Sequence, residues 1–523
     1  MQSLIKAIEQ SPINKLQMII VLLAMLIAAQ MQYIQHGWIN PDSILYFESA
    51  RLFANWQWKE AFNVWNWPLY PILIAVTHKI TSLGIQTSAQ VLNVSFFGLT
   101  AFSFTQIIRL AGGRNLTVAA GALILFSSQY IVGDVLEMLM RDEGFWAFYL
   151  TGIVFFIRFY QHLRFRDALL WQLCAIIATL FRMEAITYLV LLPLLFLFSF
   201  NITFRERVHY LLISHALNIF LAVALILAIA LNGDLSIKNF GRLQEVFTLN
   251  LYDELTRMLF TQASVMSNEV LGRYLNEFAV QGLLLTFIYV LIVKSISTTG
   301  LINIIMAFFT IKNRTNLIES KAYFVLSHVA LISLINMALI ITKVFILSSR
   351  YVVGFSFILM VLASFQFSKI LKNYVSSSEN MPKSKWLANV LVVFMILSLV
   401  KNVLPKPEGY NYMQDAATWI KQNNLNNRPV FYDEPRLRYY AGVPFIGKWD
   451  DEWSAVITAI EDGSISNYEF LVINHSAKHS EREITILNKL PKFQEIRRFN
   501  ATKAKKSIVI YQKYSGQQYY KLP

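Results

Sequence analysis

The sequence predicts a polytopic α-helical membrane protein, with about eleven transmembrane helices, that ends in an extracytoplasmic α/β domain. Three observations carry this reading. Of the 523 residues, 55% are hydrophobic and 15% are charged, against roughly 45–50% and about 25% in soluble chains. The apolar residues collect into runs of membrane-crossing length. Basic residues concentrate in alternate connections between those runs. A soluble enzyme and a disordered chain are thereby excluded, and the lone Cys174 excludes a disulfide scaffold. The net charge of +14 reads as an orientation signal and gives no reason to expect a nucleic-acid partner.

The apolar runs fall near 17–35, 88–108, 115–133, 143–160, 167–181, 183–200, 209–232, 277–293, 322–342, 352–368 and 386–402. Each approaches the roughly 20 residues that a helix needs to cross the bilayer core. The first has no clear cleavage site after it, IAAQ at 27–30 being a weak one, so it reads as a retained helix. Two further stretches, 68–83 and 298–311, are short for a crossing and read as interfacial or re-entrant helices. With the N-terminus inside, the inner connections carry Arg109 and Arg114, then Arg158, Arg164 and Arg166, and later Lys369, Lys372, Lys383 and Lys385. An odd number of crossings places the C-terminus outside. The basic bias and the scarcity of cysteine fit a bacterial inner membrane, with the C-terminal domain periplasmic.

The expected division is a membrane domain over 1–404, with long outer loops at 36–67 and 233–275, and a soluble domain over 405–523. Pro405 and Pro407 mark the boundary. Beyond them YMQDAATWIKQN patterns as a helix, and RPVFYD, YEFLVIN and KSIVIYQK pattern as short strands. The second loop contains an amphipathic stretch, LQEVFTLNLYDELTRMLF, suited to the membrane surface.

Acidic residues gather in the outer loops. In NPDSILYFESARLF, Pro41 begins a helix that Asn40 or Asp42 can cap. A plain helix cap is the bland reading of Asp42. Glu48, Tyr46, Trp65, Trp67 and Tyr70 add an acidic and aromatic neighbourhood whose ring faces suit a sugar or a lipid head group. In the next outer connection Asp134, Glu137, Asp142 and Glu143 crowd around Arg141, either as a solvated loop or as a site for a base or a divalent cation. Arg182 stands beside Glu184, where it either pairs or binds a phosphate. Arg350, with Lys343 seven residues before it, is a second candidate phosphate partner; the bland reading is a snorkelling side chain. His78, His215 and His328 lack ligand spacing, and Cys174 reads as packing. The sequons at Asn474 and Asn500 are too short to carry an assignment, and there is no P-loop, Rossmann fingerprint or zincin motif.

The order of NPDSILYFESARLF, PLYPILIA, RDEGFWAF, RMEAITYLVLLP and SSRYVVGF, followed by AATWIKQN and FYDEPRLRYYAG, resembles the GT-C glycosyltransferases. The similarity is to the branch holding the protein O-mannosyltransferases and the aminoarabinose transferase of lipid A. The resemblance implies a GT-C-like fold and transfer of a sugar from a polyprenyl-phosphate donor to a glycolipid, glycan or protein acceptor on the outer face. It implies that Asp42 is the base or metal-organising acid, that Asp142 or Glu143 is the second-loop acid, and that Arg350 contacts the donor phosphate. A divalent metal, Mg or Mn, would fall to Asp42 and Asp142. Where several relatives carry Asp-Glu, this chain has Asp42-Ser43. Two other classes fit the composition: a lipid or glycan flippase without covalent chemistry, and a non-catalytic assembly partner. The aromatic outer loop and the outer C-terminal domain weigh against the flippase.

Overall fold

The computed structural model describes residues 2–34, 39–231, 251–376, 382–405, 411–445, 447, 452–476, 479–502 and 505–514. Within them, six helices are long and apolar enough to cross a membrane: Ile13–Ile34, Ile85–Leu110, Leu255–Thr299, Ser320–Val344, Ser349–Val375 and Lys385–Val403. Two bent pairs bring the count to eight, Asn115–Phe126 with Gln129–Val135 (44°) and Phe204–Ile213 with Ala216–Ala224 (53°). The remaining three of the eleven expected crossings are helical but do not pass the same test. Asp142–His162 carries Asp142, Glu143, Arg158 and His162. Phe165–Phe181 has only 17 residues. Met183–Phe198 mixes 3₁₀ and α turns around Pro193. The short stretches form the helices Leu69–Thr81 and Leu301–Lys312. Residues 35–38 of the first outer loop and 232–250, which hold part of the second, lie outside the described residues.

The chain divides into two compact units. The first comprises 1–30, 90–136 and 141–403. Its most enclosed crossing is Ser349–Val375, with 78% of its apolar window buried. Hydroxyl groups tie this helix to its neighbours. Thr117 Oγ1 donates to Ser368 Oγ at 3.0 Å, Thr299 meets Ser356 at 2.8 Å, and Thr310 Oγ1 donates to the Leu362 carbonyl at 2.8 Å. Small polar residues of this kind let membrane helices approach closely and add directional contacts that lipid tails do not provide. Aromatic packing supplies the rest, with Phe156 edge-on to Trp171 at 5.0 Å and Phe159 against Phe196 at 5.3 Å.

The second unit comprises 31–89, 137–140 and 404–523. Its centre is a four-stranded sheet in the order β1-β2-β4-β3, with β1 Val430–Tyr432, β2 Phe470–Ser476, β3 Phe493–Asn500 and β4 Lys506–Lys513. Only β1 and β2 are parallel. Alternation divides the apolar residues between two faces. Phe470, Val472, Ile508 and Ile510 pack with Met413, Ala416 and Ile420 of the Asn411–Asn423 helix, while Leu471, Ile473, Val509 and Tyr511 pack with Ile486. The three expected strands are present. β3 escapes sequence patterning because FQEIRRFN is an edge strand with mostly exposed, charged residues and a bulge between Glu495 and Arg497. The Pro41–Ala54 helix joins this unit: Phe47 packs on Tyr439 at 5.9 Å, and the Tyr439 hydroxyl donates to Gln86 Oε1 at 2.9 Å.

At the end of β1, Asp433 is fully buried at the side chain; one oxygen accepts from the Asn474 N–H at 2.8 Å and the other lies 3.6 Å from Arg482. Burial pushes its carboxyl up to about 7, because the desolvated charge outweighs the help from Arg482 and the Asn474 N–H. A raised acid is protonated in the folded state while the unfolded chain has already ionised. Its contribution is therefore fully present below the ordinary value of 3.8 and is lost as pH rises through about 7. The C-terminal domain should lose about 1.4 kcal/mol of stability per pH unit across that window. Hydrogen exchange of β2 at a series of pH values checks this, with Asp433→Asn expected to flatten the dependence.

Candidate active site

The Asn115–Phe126 and Gln129–Val135 pair, the start of Asp142–His162, the junction after Phe165–Phe181 and the start of Ser349–Ser376 bring the ionisable residues of the first unit together. Phe181 packs against the glycine at 144, where any Cβ would collide with its ring. That close approach of two helices lets the next residue, Arg182, meet Asp142. Arg182 Nη1 donates to Asp142 Oδ1, and the two side chains are 2% and 3% exposed. Arg182 Nη2 donates to Glu184 Oε1 at 3.1 Å and its Nε to Glu184 Oε2 at 3.4 Å. Tyr351 and Phe145 cover the guanidinium, with ring centres 5.1 and 5.9 Å away.

Of the two readings that the sequence leaves open for Arg182, pairing is the one observed. A carboxylate lies on each side of this cation and rings lie above it, and three of its five N–H donors go to Asp142 and Glu184. Asp142 is correspondingly committed to Arg182 through one oxygen, while its other oxygen is buried without a hydrogen bond. Glu143 is completely buried; neither oxygen makes a well-formed hydrogen bond, and Asn93 is a polar side chain that faces it. Asp134 accepts from Gln129 Nε2 at 3.0 Å. Behind Glu184 a polar ladder continues inward. Its carbonyl accepts from Asn336 at 3.5 Å, and Tyr188 donates to Ser333 at 2.8 Å.

Arg350 is the second residue of Ser349–Ser376, partly buried, and makes no hydrogen bond or ion pair among the described residues. Arg350 directly precedes Tyr351, whose ring covers the Arg182 guanidinium, so its backbone adjoins the clamp. The covering role of Phe145 is not legible in the sequence, where it reads as a membrane aromatic. Lys343 is partly buried in the last turn of Ser320–Val344, on the preceding helix.

In the second unit Asn40 caps the Pro41–Ala54 helix, its side chain accepting from the Asp42 N–H at 2.9 Å. The cap reading thus belongs to Asn40. Asp42, partly buried at the second helical position, keeps a carboxylate with no hydrogen bond or ion pair among the described residues. The following Ser43 is fully buried and donates to the Leu139 carbonyl at 2.9 Å, which anchors the helix start.

The other first-loop candidates are used internally. Glu48 is held by Arg51 at 2.9 and 2.6 Å, an i,i+3 pair on its own helix. Tyr46 is 1% exposed and sits edge-on to Trp65 at 5.1 Å and to Tyr70 at 5.4 Å. Trp67 is buried as well. The stacking platform expected of these rings is therefore occupied by the rings themselves. Among the described residues, the exposed aromatics of this loop are instead Trp56, Trp58 and Phe62.

The donor set does not fit a divalent metal at Asp142. A guanidinium occupies one of its oxygens, and the described residues hold no group of three or more His, Cys, Asp or Glu side chains able to bind an ion. What the first unit offers is a buried, neutralised clamp with one uncommitted cation, Arg350, next to it. Replacing Arg182 by Gln should leave buried carboxylates unpaired and cost roughly 3–5 kcal/mol. A lowered unfolding temperature in detergent is the expected outcome, and an unchanged one would contradict the clamp.

No family model matches the chain, and no curated protein matches it in sequence. Solved structures do resemble it. ArnT from Cupriavidus metallidurans bound to undecaprenyl phosphate superposes with a TM-score of 0.50 at 12% identity, covering 94% of this chain and 97% of that one. The apo state of the same protein gives 0.49 at 12% identity with the same coverage. The archaeal oligosaccharyltransferase AglB from Archaeoglobus fulgidus, in complex with an inhibitory peptide and a dolichol phosphate, gives 0.45 at 11% identity, over 83% of this chain and 60% of that one. The likeness to undecaprenyl-phosphate-bound ArnT runs the length of both chains and shows a shared fold, that of a polytopic helical membrane protein with a C-terminal α/β domain.

Proposed function

We propose that this protein is an integral-membrane glycosyltransferase that moves a sugar from a polyprenyl-phosphate-linked donor to a glycolipid, glycan or protein acceptor on the outer face. The observation that carries the reading is the division of labour among the ionisable residues. Asp142 and Arg182 neutralise each other, whereas Asp42 and Arg350 each remain uncommitted at the start of a helix. The ArnT likeness supports the choice of donor class, since that protein was captured with undecaprenyl phosphate.

A sugar on a lipid phosphate already carries a good leaving group, so the protein must supply a base and a partner for the departing charge. Asp42 accepts the proton of the acceptor hydroxyl or amide. The freed electron pair forms the new bond to the anomeric carbon while the bond to the phosphate oxygen breaks. The lipid phosphate leaves with that electron pair, held by Arg350 in the first turn of Ser349–Ser376. Asp142, Glu184 and Arg182 act as positioning residues, because their clamp fixes Tyr351, the neighbour of Arg350. No step requires a metal ion.

Purified protein given radiolabelled polyprenyl-phosphate sugars should release free lipid phosphate and label an acceptor. Asp42→Asn should lower transfer by about 10²–10⁴-fold while the protein stays folded and inserted. Undiminished transfer in that variant would refute the mechanism. Arg350→Gln should lower transfer by about 10²–10³-fold, and its loss should not be recovered at higher pH, as a lost base would be. A rate equal to that of the parent protein would remove Arg350 from the phosphate site.

A further inference from the structure

The Asp142–His162 and Phe165–Phe181 helices are joined by a turn with Leu163 in the left-handed region (φ 55°). A concavity of about 240 Å³ opens there, lined by Phe155, Arg158, His162, Arg164, Arg166, Asp167 and Leu170. Arg158, His162, Arg164 and Arg166 are exposed, and none of the four makes an ion pair or a side-chain hydrogen bond among the described residues. Asp167, 8% exposed, is the acidic member of the lining. Arg164 sits at the N-cap of Phe165–Phe181 with no side-chain cap, and the N–H groups of Phe165 and Arg166 are open to an anion, while that of Asp167 donates to the Arg164 carbonyl at 3.0 Å.

The position on the helix separates this place from the acid cluster. Asp142 opens the Asp142–His162 helix and Arg158 and His162 close it, which at 1.5 Å per residue puts the two ends about 24–30 Å apart. That is about the thickness of the bilayer core. Inner loops collect basic residues for orientation alone, with no requirement that they line a concavity. That tendency does not predict a cavity with three arginines, a histidine, an uncapped helix start and apolar side chains such as Phe155 and Leu170. A phosphate at the mouth and hydrocarbon beside it describe a membrane lipid.

We propose that this turn is a binding site for the phosphodiester head group of an anionic phospholipid, in the leaflet opposite the acid cluster and independent of the donor site. The phosphate is taken by Arg158, Arg164 and Arg166 and by the open N–H groups of the Phe165–Phe181 helix, while Phe155, Leu170 and the exposed Phe165 face the acyl chains.

The test is native mass spectrometry of the full-length protein released from nanodiscs of equimolar phosphatidylglycerol and phosphatidylcholine. The parent protein should retain phosphatidylglycerol at least ten-fold over phosphatidylcholine. Arg158→Gln/Arg164→Gln/Arg166→Gln should lose that preference with an unchanged unfolding temperature in detergent. Arg350→Gln should keep it. Equal retention of both lipids by the parent protein overturns the proposal without recourse to any variant. A preference that survives the triple substitution, or one lost with Arg350→Gln, places the lipid elsewhere and also overturns it. Displacement of the lipid by millimolar inorganic phosphate would mean a free-phosphate site in place of a lipid site.

Discussion

A buried arginine between two carboxylates organises the helical unit. Arg182 is 2% exposed, yet it is satisfied on three nitrogens and capped by two rings. A charge in such a place is tolerated only when it is paired, and breaking such a pair is far more costly than never having built it. The pairing in turn depends on close packing: the glycine at 144 admits the ring of Phe181, which brings the helix carrying Asp142 against the end of the one carrying Arg182. Tyr351, held over the guanidinium, carries the constraint into the start of Ser349–Ser376, where Arg350 stands.

The same economy applies in the other unit on a smaller scale. Asn40 takes over the capping of the Pro41–Ala54 helix, and Ser43 pins that helix to the Leu139 carbonyl. With the cap supplied elsewhere, the Asp42 carboxylate makes no hydrogen bond or ion pair among the described residues. Glu48, by contrast, is held by Arg51. An acid left without a structural partner at a helix start, where the macrodipole favours negative charge, is well suited to act on a ligand. The reading of Asp42 as the reactive acid rests on this contrast.

Length and charge account for the departures from the expected crossings. Asp142–His162 carries acids and bases at its two ends, whereas Phe165–Phe181 and Met183–Phe198 are short, the second with Pro193 interrupting its α-helical hydrogen bonding. In the sheet, β3 is a charged edge strand that gives no apolar alternation to read. The apolar strands β2 and β4 and the amphipathic Asn411–Asn423 helix were legible because their burial is one-sided or complete and their periodicity is strong.

The sequence alone determined the membrane class, the place of the apolar helices, the α/β character of the C-terminal domain and the residues worth watching. Hydrophobic burial leaves a one-dimensional trace in run length and period, so these were readable without coordinates. Tertiary structure decided which of those residues were already engaged. Asp142 and Arg182 are 40 positions apart, and Tyr46, Trp65 and Tyr70 meet across a loop. No local pattern records such encounters, because pairing and ring packing depend on distance in space. The sequence could therefore nominate a dozen residues, but only the fold could distinguish the committed side chains from Asp42 and Arg350, which it leaves unpaired.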